Sequence, residues 1–106
     1  MGVDYKWGSS AGGIRFFEET KRLATKVFGA EFFENRKSTE RYRFPEGTHP
    51  SIVKFFSCAY GPLTVEETKS VWEEFQKHPE IKEIMPDMWH EFEMDARYDE
   101  EFRLSY

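Results

Sequence analysis

Apolar residues recur at helical spacing over three stretches of the chain and alternate at strand spacing over others. From Ile14, the positions Ile14, Phe17, Leu23, Ala24, Val27 and Phe28 fall mostly three and four apart, with Glu18, Glu19, Lys21, Arg22 and Lys26 off the stripe. That is the pattern of an amphipathic helix, and it predicts one over 14–28. Gly29 follows as a terminator able to take the left-handed conformation. Ile52, Phe55, Phe56, Ala59 and Tyr60 fit the i, i+3, i+4, i+7, i+8 template, with Pro50 in the first turn and Gly61-Pro62 as the stop, predicting a helix over 50–60. Thr64 and Glu67 form a capping box that opens a third helix over 64–77, with Val65, Thr68, Trp72 and Phe75 on one side until His78-Pro79.

Strand spacing is shorter-ranged. Tyr42 and Phe44 alternate with Arg41 and Arg43, and with Phe32 and Phe33 they flank the polar run 35–39, which predicts a hairpin with strands near 31–35 and 40–44. Pro45, Glu46 and Gly47 close it as a turn. Ile81, Ile84 and Met85 make a short apolar patch before Pro86. From Asp87 onward two periods compete: Phe92, Met94, Ala96 and Tyr98 alternate, whereas Trp89, Phe92 and Ala96 sit at helical spacing, with Asp87 as a cap; Phe102, Leu104 and Tyr106 alternate again. Residues 87–106 therefore stay open between helix and strand. Residues 1–13, with Gly8, Ser9, Ser10, Gly12 and Gly13, read as an irregular N-terminal arm. They lack the lysine and the spacing of a phosphate-binding loop.

These elements describe one domain over 1–106 of the α+β class, mostly helical with a short hairpin; an all-α fold is the alternative. The expected core is Ile14, Phe17, Leu23, Val27, Phe28, Ile52, Phe55, Phe56, Ala59, Trp72, Phe75, Ile84 and Phe92. At 106 residues the chain can bury roughly 65% of its unfolded surface. Its apolar content is biased, because 19 Phe, Trp and Tyr outnumber 12 Val, Ile and Leu. So many rings predict some at the surface as contact residues, or a homodimer that hides them.

Charge changes the picture further. Residues 1–53 hold nine Lys/Arg and seven Asp/Glu, while residues 54–106 hold six and thirteen, within a net charge of −5. Such asymmetry marks an interaction face more often than a fold requirement. The acidic end interleaves carboxylates with rings, and its expected partner-binding residues are Trp89, Glu91, Phe92, Glu93, Asp95, Tyr98, Asp99 and Glu100. The function this supports is a non-enzymatic acidic interaction protein that binds a basic protein surface through its C-terminal face, with rings as anchors and carboxylates for steering. Its sharper form is an inhibitor that mimics nucleic acid, the carboxylates standing where phosphates would lie on a nucleic-acid-processing protein. The blander reading is a half-buried terminal element with an ordinary wet face.

Two other classes compete. Arg36, Lys37, Arg41, Tyr42 and Arg43 would make a basic hairpin that binds single-stranded nucleic acid, cations neutralising phosphates and rings stacking on bases; overall charge disfavours it, and pairing with the acidic segment is its plainer role. A small hydrolase or metal-dependent enzyme would use His90 with nearby carboxylates, but Met94 stands where the H-E-x-x-H motif needs its second histidine. His49 and His78, each beside a proline, read as structural. No metal and no cofactor is expected. Cys58 is the single cysteine, which excludes an internal disulfide and reads as core filler. With no apolar run of membrane-spanning length and no signal-peptide layout, the expected setting is the cytoplasm and no membrane partner.

Overall fold

In the computed structural model, residues 2–8, 10–33, 41–57 and 60–105 are described. Along them run β1 (Gly2–Tyr5), β2 (Ser10–Gly12), α1 (Gly13–Arg22) continued by a π-helical turn (Leu23–Val27), β3 (Glu31–Phe32) and β4 (Tyr42–Arg43). There follow α2 (Pro50–Ser57), α3 (Val65–Gln76), α4 (Ile81–Ile84), α5 (Pro86–Arg97) and β5 (Leu104–Ser105). This is a small α+β domain, as expected. Its radius of gyration is 12.9 Å, close to the ~13 Å of a compact chain of this length.

The N-terminal segment corrects the expectation of an irregular arm. β1 pairs antiparallel with both β2 and β5, giving a three-stranded sheet in the order β2-β1-β5. Val3, Tyr5 and Ala11 point inward and are buried, an alternation too short to stand out among glycines and serines. One of its two partners lies about a hundred positions away, at Leu104 and Ser105. A side chain at Gly2 would meet the Ala11 carbonyl oxygen at 3.0 Å, so glycine permits the close β1–β2 approach.

The three expected helices are present. In α1 the buried residues are Phe16 and Thr20, followed by Leu23 and Ala24 in the π-helical turn, while Ile14 is 80% exposed and Phe17 is half-buried. The inward stripe is thus Phe16, Thr20, Leu23 and Ala24. Polar Thr20 conceals it in sequence, but its hydroxyl donates to the Phe16 and Phe17 carbonyls at 2.9 Å each, removing the cost of burying it. Gly29 takes φ +71 and the Ala30 N–H closes onto the Ala24 carbonyl, the expected glycine stop. At α3 the capping box forms, with Thr64 Oγ1 accepting from Glu67 N–H at 3.2 Å and Glu67 Oε1 accepting from Thr64 N–H at 2.9 Å.

The ambiguous end resolves into both readings in turn. α5 starts at Pro86 after a non-helical Met85, with Asp87 in the first turn and not at the cap. It ends where Asp99 adopts φ 54 and the Glu100 N–H bonds back to the Asp95 carbonyl at 2.8 Å. The chain then reverses into β5. Phe102, fully buried, lies flat on Phe92 with ring centroids 4.4 Å apart and 1° between planes.

The core gathers around Phe55, whose ring meets Phe56, Tyr60, Phe75, Phe92 and Phe102. Leu23, Ile52, Phe56, Phe75 and Phe92 are buried as expected, and Val27, Phe28, Trp72 and Ile84 pack partly buried against them. Ala59 lies outside the described residues. Most described rings are used inside, edge to face. The expected 31–44 hairpin forms as β3 paired with β4; residues 34–40 lie outside the described residues. Among the described residues no helix is long and apolar enough to cross a membrane.

Candidate functional site

Helix α5 and the turn after it carry the residues on which the sequence placed a partner face, and the structure divides them. Glu91, Phe92 and Asp95 are fully buried; Trp89 and Glu93 are half-buried; Tyr98, Asp99 and Glu100 are exposed. This corrects the picture of one continuous acidic surface. α5 packs against α3, α4 and β1, and the i, i+4 pair Glu91 and Asp95 falls on the side facing β1.

What Glu91 and Asp95 do instead is hold the N-terminal turn. Glu91 Oε1 accepts from the Lys6 N–H at 2.8 Å and the Trp7 N–H at 3.4 Å. Asp95 Oδ1 accepts from the Trp7 indole N–H at 2.8 Å and pairs with the Lys6 ammonium at 3.0 Å. The same ammonium donates to the Glu101 carbonyl at 2.7 Å and lies 3.6 Å from Glu100 Oε2. One lysine therefore ties the β1–β2 turn to both α5 and the segment leading to β5. Burial, then the hydrogen bond to Asp95 and its charge, push the Glu91 carboxyl up to about 8 against the two backbone donors. Burial likewise pushes the Tyr5 phenol up, with Asp87, Glu19 and Glu91 adding in the same direction. Raised carboxyls in clefts suggest acid–base chemistry. This pair lies in no cleft: neither side chain reaches solvent, and Trp7 and Lys6 cover it.

On the other side of α5 an open groove of about 470 Å³ runs between α3 and α5, lined by Lys69, Trp72, Glu73, Gln76, Glu93, Ala96 and Arg97. Behind Trp72 stands Trp89, edge-on at 4.9 Å. Lys69 pairs with Asp99 at the groove's end. Glu73, Glu93 and Arg97 form no ion pair among the described residues. Tyr98 is 55% exposed and stacks on Trp7, centroids 5.5 Å apart. The α3 residues of this groove went unnoticed in sequence because Lys69, Glu73 and Gln76 look like an ordinary wet helix face.

The basic hairpin is corrected at Tyr42. Strand alternation turns that ring inward, where it is 8% exposed against Phe32 and Phe56, so it cannot stack on a base. Arg41 and Arg43 point outward, over Phe17 at 5.7 Å and Phe33 at 5.0 Å, while Lys21 lies over Phe32 at 4.3 Å. The acidic C-terminal segment does not pair with these arginines among the described residues. Arg36, Lys37 and Cys58 lie outside the described residues.

His90 is exposed, turned about 100° around α5 from the inward Glu91. Among the described residues no group of three or more His, Cys, Asp or Glu side chains could hold a metal ion. His49 accepts from the Ser51 N–H at 3.1 Å at the start of α2, and His78 packs edge-on against Phe28.

Compared with protein-family models, curated proteins and solved structures, the chain shows no significant match to any of them.

Proposed function

We propose that this protein is a non-enzymatic binding module that docks a basic protein surface on the face shared by α3 and α5. The observation that carries the reading is the groove between these helices. It combines a half-buried indole, Trp72, with two carboxylates, Glu73 and Glu93, one from each helix and neither in an ion pair among the described residues, against one unpaired cation, Arg97. Aromatic anchors at a partly desolvated centre supply contact energy, and flanking charge supplies steering and register. Exposed Tyr98 and Glu100 lie past the end of α5 on the side that holds Trp7 and Lys6, apart from this face. In its sharper form the module is a stoichiometric inhibitor whose carboxylates take the places of phosphates on a nucleic-acid-processing protein. A reducing, cytoplasmic setting accords with the single Cys58.

The test is affinity capture from source-cell lysate by the wild-type protein and by Glu73→Lys/Glu93→Lys, each with and without nuclease. The reading requires a protein retained after nuclease and lost in the double variant. Equal capture by both proteins would refute it.

A second reading is favoured by a separate observation. Lys21, Arg41 and Arg43 each lie over a phenylalanine ring and form no ion pair among the described residues, and Phe33 is 38% exposed. Outward cations beside an exposed ring are the ingredients of a single-strand platform. It predicts that anisotropy of a labelled single-stranded oligonucleotide rises with protein, falls steeply with salt, and falls further in Arg41→Glu/Arg43→Glu.

A further inference from the structure

The Glu91–Asp95 pair is an electrostatic imbalance enclosed in the fold. Two carboxyl groups, both fully buried, face a single ammonium, Lys6. One oxygen of each is accounted for: Glu91 Oε1 by two backbone N–H groups, Asp95 Oδ1 by an indole and the lysine. Among the described residues the other oxygens, Glu91 Oε2 and Asp95 Oδ2, are buried without a hydrogen-bond partner, and the two side chains interact with each other. Two ionised carboxylates could not stay in contact there, because each oxygen accepts and neither donates. A proton between them satisfies both atoms at once. Lys6 lies against Asp95, so Glu91 is the member that takes it.

Among the described residues the surrounding charges leave no other source of compensation. Lys6 is shared with Glu100 and the Glu101 carbonyl. From β1, Tyr5 faces the site as a phenol whose ionisation is also disfavoured; Asp87 lies one turn earlier on α5; and α1 brings Glu19, which is paired with Arg15. On α3, Thr68 is spent on the Phe102 backbone and Lys69 on Asp99. Lys82 and Glu83 of α4 are exposed.

We propose that Glu91 and Asp95 hold one proton between them as a latch, and that its loss frees the turn at Lys6, Trp7 and Gly8 from α5. Without the proton, two buried negative charges face each other across one turn of helix. The contacts that yield are those made by the turn, since Lys6 is already partly exposed, at 34% of its side chain. Trp7 then leaves Asp95 and Tyr98, uncovering the end of α5.

The test is a titration of the wild-type protein, with glutamate carboxyl carbons and the Trp7 indole N–H followed by NMR from about pH 5 to about pH 9.5. One glutamate carboxyl should titrate with a midpoint near 8, and the Trp7 indole signal should move with that same midpoint. In Glu91→Gln, whose amide donates to Asp95 as the acid does, the Trp7 signal should stay at its low-pH position throughout. Ionisation of every glutamate below about pH 6, a Trp7 signal that ignores the Glu91 titration, or an unchanged alkaline transition in Glu91→Gln would each overturn the proposal. The wild-type titration decides without the variant.

Discussion

The Trp7 indole donates to Asp95 at 2.8 Å across 88 positions of sequence. With Lys6, this contact makes the N-terminal turn part of the same unit as α5 and the C-terminal strand. Several consequences can be measured directly.

Stability should depend on pH through Glu91. Its carboxyl is raised in the folded protein from an ordinary value of 4.5 to about 8, so the unfolded chain ionises first as pH rises. The stabilisation is complete below about pH 4.5 and is lost as pH climbs through about 8, at no more than about 1.4 kcal/mol per pH unit. Urea midpoints across that range check it, and Glu91→Gln should flatten the slope. Glu67 acts in the opposite sense: Lys54 and the Thr64 cap hold it below the usual carboxylate range, so its contribution is lost only as pH falls into the acid range.

Phe102→Ala should cost about 3–5 kcal/mol, as for other large buried rings. It removes the stack on Phe92 and the edge contact with Phe55, and it unseats the segment that carries β5. Thr68→Val should cost about 1–3 kcal/mol without creating a cavity, because the Phe102 N–H loses its acceptor at 3.0 Å. Chemical denaturation measures both.

Ile14→Lys should leave stability within about 0.5 kcal/mol of wild type, whereas Phe16→Ala should cost about 3 kcal/mol or more. This pair of variants tests which face of α1 is inward, with thermal denaturation as the readout. The reverse order would restore the stripe that the sequence favours.

Legibility in the sequence followed the range of the cause. The capping box at Thr64, the glycine stop at Gly29 and the α2 stripe Ile52, Phe55 and Phe56 depend on neighbours within a few positions, and all appear as read. The pairing of β1 with β5 depends on Leu104, and the side of α5 that turns inward depends on Lys6 and Trp7; neither dependence leaves a local trace. Glu91 and Asp95 looked like surface acids because carboxylates are seldom fully buried without partners, and their partners lie at the far end of the chain. The period conflict after Asp87 was real: a helix to Arg97 is followed by a strand, with Asp99 in the left-handed turn between them. The surplus of rings, a reason to expect surface contacts, is largely consumed by the core around Phe55.

The partner face should be sensitive to charge and insensitive to the buried pair. Glu93→Lys alone should weaken partner capture without shifting the thermal midpoint, since Glu93 forms no ion pair among the described residues. Glu91→Lys, by contrast, would bury a second cation beside Lys6 and should unfold the protein. Circular dichroism beside each capture experiment separates loss of binding from loss of fold.

The most direct measurement is quantitative capture, after nuclease, by three proteins side by side: wild type, Glu73→Lys/Glu93→Lys, and Arg41→Glu/Arg43→Glu. The account predicts one protein partner retained by wild type and the hairpin variant and lost by the groove variant. Capture lost in the hairpin variant and kept in the groove variant, or abolished by nuclease in all three, would contradict it.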